Sequence, residues 1–143
     1  MPVFMDLETR SHCDLRSRGG WNYSRDPSTE ILSATFVDGG RGFVWLPLGG
    51  RVSRLPEGVE WVQSDSATFP FPELLQWSWV AHNADGFDRI VWTALGLPSP
   101  RAWFDSVKLA REAGLPGGLG KLSKYLWGEG KDDAGGKAMR RLA

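Results

Sequence analysis

The chain has 143 residues, 41% of them hydrophobic, and its 17 Lys and Arg residues balance 17 Asp and Glu, so that its formal net charge is zero. This size and composition are typical of one folded domain with a sizeable core, and they exclude a disordered chain. A neutral chain has no overall positive field that attracts nucleic acid, so any site for a polyanion must be local. The single cysteine, Cys13, excludes an internal disulfide and fits a reducing compartment.

The sequence also argues against membrane insertion and secretion. No apolar run approaches the roughly 18 residues that a membrane span needs. No basic segment precedes the few apolar residues at the N-terminus, as a secretory signal would require. We therefore expect a soluble, cytoplasmic protein with no membrane partner.

Residues 3–9 (VFMDLET) predict a buried strand whose far end carries two carboxylates, Asp6 and Glu8. Because side chains alternate faces along a strand, Asp6 and Glu8 point the same way. Two acids in a core strand repel each other unless a cation lies between them, so the spacing indicates a metal site. The alternative is that both residues lie just past the strand and are solvated.

Residues 10–30 are polar, contain four arginines and predict a long loop. Such a loop is either an ordinary solvated connection or a functional one whose arginines hold a phosphate backbone. Its two aromatic residues, Trp21 and Tyr23, form either a lid over the core or a stacking surface for a base.

The middle of the chain predicts a β-hairpin and further short elements. Residues 31–37 and 43–46 are β-rich and are separated by DGGRG, which favours an antiparallel hairpin. Residues 47–66 predict a loop with a short strand at 59–62. A short helix is expected at 72–76, with Pro at its start, and a short strand at 78–81.

Helices dominate the predicted second half. Apolar residues between positions 87 and 95 recur at helical spacing and predict a helix that Gly96 ends. Asp88 lies in the first turn of this helix, where a carboxylate gains from the helix dipole. Residues 101–104 predict a strand. Asp105 is expected to be the N-cap of a helix that runs through residue 113. Residues 119–126 predict a last helix, and a Gly-rich, charged stretch follows at 131–143.

These elements predict an α/β domain with a mixed sheet. In such a sheet the strand after the hairpin can lie beside the first strand. That arrangement would bring Asp88 toward Asp6 and Glu8.

Three stretches of the chain resemble a known family: FMDLETRS at 4–11, AHNADGFD at 81–88, and WFDSVKLAR at 103–111 followed by residues 119–126. They are similar to motifs of the DEDD-type 3′-5′ exonuclease superfamily, which has a ribonuclease H-like fold. Within it the chain most resembles the proofreading domain of bacteriophage-type family A DNA polymerases. The resemblance covers nearly the whole chain, including residues 26–32.

The resemblance implies a metal-dependent exonuclease that hydrolyses phosphodiester bonds at single-stranded DNA 3′ ends, with a polymerase domain C-terminal to it in the full-length protein. A protein of phage origin would act in the host cytoplasm. The catalytic carboxylates would be Asp6, Glu8 and Asp88, holding two Mg²⁺ or Mn²⁺ ions. Asp6 would bridge the ions, Glu8 would bind the ion on the nucleophile side, and Asp88 would hold the other. Thr9 and Asn83 would position the terminal nucleotide.

Two features depart from the family pattern. Four residues separate Asn83 from Asp88, where the family has three. We expect the extra Asp85-Gly86 to bulge the loop and leave Asp88 in place; the alternative is that Asp85 takes the metal role. The third motif, Tyr or His followed four residues later by Asp, is missing, since Tyr125 has Glu129 at that distance. We therefore expect a chain that stops before this motif and has weak or no activity alone.

Two other functions stay open at this point. The chain could be an enzyme of the same superfamily that acts on RNA, since nothing in the sequence recognises or excludes a 2′-hydroxyl. It could also be a nuclease-dead ribonuclease H-like module that binds nucleic acid or stabilises a partner. His82 is expected to be a loop hydrogen-bonding residue rather than a general base, and Asp105 a helix cap.

Overall fold

The structure is a computed structural model that describes residues 1–130 and residue 137. Apart from that residue, the predicted Gly-rich, charged stretch at 131–143 lies outside the described residues. The strands are β1 (Val3–Arg10), β2 (Glu30–Asp38), β3 (Arg41–Trp45), β4 (Glu60–Ser64), β5 (Ser78–Ala81) and β6 (Ala102–Asp105). The α-helices are α1 (Leu15–Arg25), α2 (Arg89–Ala94), α3 (Ser106–Glu112) and α4 (Leu119–Trp127). A 3₁₀ turn at Pro72–Gln76 precedes β5, and a π-helical turn at Ala84–Asp88 leads into α2.

The strands form one mixed sheet in the order β4-β3-β2-β1-β5-β6. The predicted hairpin is confirmed, since β2 pairs with β3 in antiparallel register, and β1 is antiparallel to β2. A later strand, β5, lies beside β1, which is the arrangement that the sequence allowed; the two pair in parallel, and β6 follows at the edge. The expectation of an α/β domain with a mixed sheet is therefore confirmed at this level.

The prediction of a loop over residues 10–30 was wrong, because α1 lies within it. Asp14 caps this helix by accepting the N–H of Arg16 at 3.1 Å, which is the role that short polar side chains play at helix starts. The helix is kinked at Gly19, whose φ is 74°. The Gly-Gly pair lowers the helix propensity of this segment, so the sequence did not predict a helix there. The helix is stabilised by tertiary packing of Tyr23, which is buried.

One face of the sheet is covered by a cluster of aromatic rings. Phe36 of β2 lies 4.9 Å from the ring of Trp79 in β5, and Trp79 lies 5.0 Å from the ring of Trp92 in α2. All three side chains are at most 1% exposed. Buried aromatic pairs of this kind contribute both apolar area and preferred edge-to-face geometry. The cluster therefore fixes α2, and the turn before it, against the centre of the sheet.

The opposite face of the sheet carries an exposed apolar row. Phe4 of β1 is in register with Val80 of β5, which is in register with Phe104 of β6. Phe4 is 57% exposed and Phe104 is 49% exposed. The expected buried strand is thus buried on one face only.

No helix in the described part of the chain is long and apolar enough to cross a membrane.

Candidate functional site

Asp6 and Glu8 lie on one face of β1, as their spacing predicted. They alternate with Met5, Leu7 and Thr9, which are buried on the core side. Because β1 runs on to Arg10, both acids belong to the strand rather than to a segment beyond it. They share the face that carries Phe4, so they border the exposed apolar row rather than the aromatic core.

Asp88 is brought to β1 by the π-helical turn and is only 4% exposed. Burial raises the pKa of its carboxyl from 3.8 to about 7, and the negative charge of Asp6 acts in the same direction. The backbone N–H of Leu7 interacts with the Asp88 carboxylate and partly offsets this rise. Asp88 therefore lies against the backbone of Leu7 in the middle of β1, within electrostatic range of Asp6.

The loop before Asp88 contains the predicted bulge, in the form of the π-helical turn. The N–H of Phe87 donates to the carbonyl of Asn83 at 2.9 Å, and Asn83 has a left-handed φ of 76°. A Cβ added at Gly86 would lie 2.3 Å from the Asn83 side-chain oxygen, so a larger residue there would displace the Asn83 side chain. Turns of this type accommodate one extra residue within a helix start.

Asp85, the alternative second-motif residue, faces solvent. Its carboxylate lies 3.1 Å from the guanidinium of Arg89, and both side chains are about half exposed. An exposed pair of this kind contributes little to stability. Of the two candidates, Asp88 is the one that reaches β1.

Asp105 has a larger structural role than the helix cap that the sequence predicted. Its carboxylate accepts the N–H of Val107 at 2.8 Å, which confirms the cap on α3. It also accepts the N–H groups of Asn83 at 3.1 Å and Asp85 at 2.9 Å. Burial opposes ionisation of Asp105, but these N–H donors outweigh it and lower its pKa. No sequence signal indicated this second contact, since it joins β6 to a loop 20 residues earlier in the chain.

His82 uses both ring nitrogens in hydrogen bonds, as expected of a loop hydrogen-bonding residue. Its Nε2 lies 2.9 Å from the carbonyl oxygen of Gly117, and its Nδ1 lies 2.9 Å from the hydroxyl of Ser106. A carbonyl oxygen only accepts, so Nε2 donates in the contact with Gly117. His82 thereby ties the end of β5 to the segment before α4.

The two predicted substrate-binding residues differ in their placement. Thr9 is 7% exposed and lies on the core side of β1, where its hydroxyl is 2.9 Å from that of Tyr23. It does not share a face with Asp6 and Glu8. Asn83 is exposed, and it lies five residues before Asp88 in the loop that Asp105 holds.

A cleft of about 580 Å³ adjoins the end of β1. Glu8 and Thr9 line one side, Arg16 of α1 lines another, and Tyr23 and Phe87 form an aromatic wall with their ring centroids 5.6 Å apart. Clefts of this size with a few polar groups are typical small-molecule or nucleoside sites. The sequence indicated that Tyr23 is either a lid over the core or a stacking surface for a base, but it did not reveal that Phe87 completes the wall.

Asp6 and Asp88 are the part of the predicted metal-ligand set that the structure brings together. Among residues 1–130, no three Asp, Glu, His or Cys side chains lie close enough together to hold one metal ion, so Glu8 does not complete a triad there. Carboxylate oxygens are nevertheless the ligands that Mg²⁺ and Mn²⁺ prefer. A buried carboxylate destabilised by a neighbouring negative charge is an environment that a divalent cation would stabilise.

Comparisons with known proteins do not identify the chain. No protein-family model matches the sequence, and no curated protein matches it significantly. The carboxylate pair, the cleft beside it and the loop that carries Asp88 are therefore the observations from which a function is inferred.

Proposed function

We propose that this chain carries the first two carboxylate motifs of a metal-dependent 3′-5′ exonuclease domain of ribonuclease H-like fold, of the type that proofreads for a family A DNA polymerase. The observation that supports it most is the approach of Asp88 to Asp6 on β1. These two residues lie in the two stretches that most resemble exonuclease motifs. The mixed sheet and the π-helical turn that absorbs the extra loop residue are compatible with this assignment.

The carboxylates would act by holding divalent cations. Asp6 and Asp88 would provide ligands for Mg²⁺ or Mn²⁺, and Glu8 would add a ligand from the same strand face as Asp6. Bound in this way, two such ions supply a nucleophilic hydroxide at neutral pH and neutralise charge on the phosphoryl oxygens. The cleft beside Glu8 would accommodate the terminal nucleoside of a DNA 3′ end, with Tyr23 and Phe87 against its planar base.

The proposal is tested first by cation binding. We expect calorimetric titration of the wild-type chain with Mn²⁺ to show weak binding that Asp6→Ala reduces strongly. The exposed Asp65 provides a control, because Asp65→Ala removes the same charge at a site far along the chain. Equal heats for wild type and Asp6→Ala would remove Asp6 from the site.

The second test is hydrolysis of 5′-labelled single-stranded DNA in the presence of Mg²⁺ or Mn²⁺. We expect this chain to shorten the DNA slowly or not at all, because two-metal catalysis loses orders of magnitude when ligands or the attacking water are misplaced. A longer version of the chain that supplies a third motif should shorten it readily. Rapid release of mononucleotides by this chain, abolished by Asp88→Ala, would show that a third motif is not needed.

A nuclease-dead nucleic-acid-binding module is the second candidate function. It is favoured by one observation, the lack of a three-ligand cluster among residues 1–130. Such a module would bind DNA with the same affinity in Mn²⁺ and in chelator, and Asp6→Ala would leave both values unchanged. The exonuclease proposal predicts tighter binding in Mn²⁺ and its loss in Asp6→Ala.

A further inference from the structure

The segment from α3 through α4 carries a net positive charge, although the whole chain is neutral. Residues 106–127 contain four basic residues and one acidic residue. Within residues 1–130, no carboxylate forms an ion pair with Lys121 or Lys124 of α4. The ammonium groups of α4 are therefore available to an external anion.

The same helix exposes two aromatic rings. Leu122 is the one residue of α4 that is buried, while Tyr125 is 68% exposed and Trp127 is 72% exposed. Lys121 and Tyr125 are four residues apart, and Lys124 and Trp127 are three apart, so each ring shares a side of the helix with one lysine. Exposed aromatics beside cations are the features with which proteins bind single strands without base-specific contacts.

The segment that leads into α4 is joined to the loop that carries Asp88 by direct contacts. His82, at the end of β5, bonds to the carbonyl of Gly117, two residues before α4 begins. Asp105 caps α3 and holds the N–H of Asn83 in the same loop. The start of α4 is therefore held near the loop that carries Asp88.

We propose that α4 is a binding surface for single-stranded DNA, with bases stacked on Tyr125 and Trp127 and backbone phosphates neutralised by Lys121 and Lys124. A protein partner is less compatible with this surface, because Lys is depleted at the cores of protein interfaces. The inference rests on the proposed function for its choice of DNA, since the bound strand would be the one whose 3′ end reaches Asp6 and Asp88. Tyr125 and Trp127 are two residues apart and lie on different sides of the helix, so the strand would cross the exposed surface of α4 rather than run along it.

The charge component is tested by the fluorescence anisotropy of a labelled oligothymidylate. Titrations in chelator prevent metal-dependent hydrolysis, so failure of the exonuclease proposal does not affect this measurement. We expect the double variant Lys121→Gln and Lys124→Gln to bind about tenfold more weakly and to lower the salt slope by about 1.4, since each phosphate that a lysine neutralises contributes roughly 0.7 to that slope. The double variant Arg51→Gln and Arg54→Gln, which removes equal charge from an exposed loop, should bind like wild type.

The stacking component is tested with Tyr125→Ala and Trp127→Ala. Each should weaken binding about fivefold or more, whereas Trp21→Ala should not, although Trp21 is also exposed, at 62%. The proposal would be overturned if the Arg51/Arg54 double variant lost as much DNA affinity as the Lys121/Lys124 double variant. A larger loss of affinity in the double variant Arg16→Gln and Arg18→Gln would also overturn it. So would tighter binding to oligouridylate than to oligothymidylate, or a dimer in sedimentation that the α4 variants dissociate.

Discussion

At the scale of single residues, Asp88 is the side chain whose environment differs most from that of an ordinary carboxylate. It is almost fully buried, and the neighbouring charge of Asp6 adds to the cost of ionising it. Its pKa of about 7 lies above the ordinary value of 3.8, so between these values the folded state binds more protons than the unfolded state. The protonated Asp88 carboxyl therefore stabilises the folded state fully at low pH. This stabilisation is lost as the pH rises through about 7.

Asp88→Asn should remove most of this pH dependence. The amide keeps an oxygen for the Leu7 N–H but carries no charge, so the variant should be more stable than wild type above neutral pH. The gain should be on the order of a few kcal/mol, since one pKa unit corresponds to about 1.4 kcal/mol. Urea denaturation on both sides of neutrality measures it, with the exposed Asp65→Asn as control. A wild-type free energy of unfolding that rises with pH across this range would contradict the prediction.

At the scale of elements, α1 and the turn before α2 meet at two glycines. A Cβ added at Gly20 would lie 2.5 Å from the carbonyl oxygen of Gly86, which is backbone and has little freedom to move. Gly20 thus allows α1 to pack against the turn that presents Asp88. The kink at Gly19 and this close contact together explain why a Gly-Gly pair lies within a helix.

Gly20→Ala should reduce the free energy of unfolding by about 1–3 kcal/mol, as other overpacked contacts do. Gly118→Ala is the matched control, because a Cβ at Gly118 meets nothing within 4 Å and its φ of −82° suits any residue. Urea denaturation of the two variants gives the comparison. If both variants unfold like wild type, then α1 does not pack on the turn as described.

At the scale of the whole molecule, the sheet has two unlike faces. One face is covered by α2 and the aromatic cluster around Phe36. On the other face, Phe4 and Phe104 are exposed in the part of the chain that the structure describes. Parallel strands are usually covered on both faces. The asymmetry concentrates the stabilising apolar burial on the face opposite Asp6 and Glu8.

Two phenylalanine truncations should therefore have very different effects. Phe36→Ala should cost about 3–5 kcal/mol of unfolding free energy, because it leaves a cavity among packed rings. Phe4→Ala should cost less than about 1 kcal/mol, since little area is removed from water at that position. Equal losses measured by urea denaturation would mean that something covers the Phe4 face in solution.

The sequence by itself determined the mixed α/β sheet, the hairpin, the Asp105 cap of α3 and the shared face of Asp6 and Glu8. These follow from local rules, because alternation, turn residues and capping side chains act over a few neighbouring positions. Only the tertiary structure decided that residues 15–25 form a helix, that Asp105 holds the loop before Asp88, and that Thr9 faces Tyr23 instead of the carboxylates. These contacts join segments far apart in the chain, so their free energy depends on packing, which no local pattern encodes.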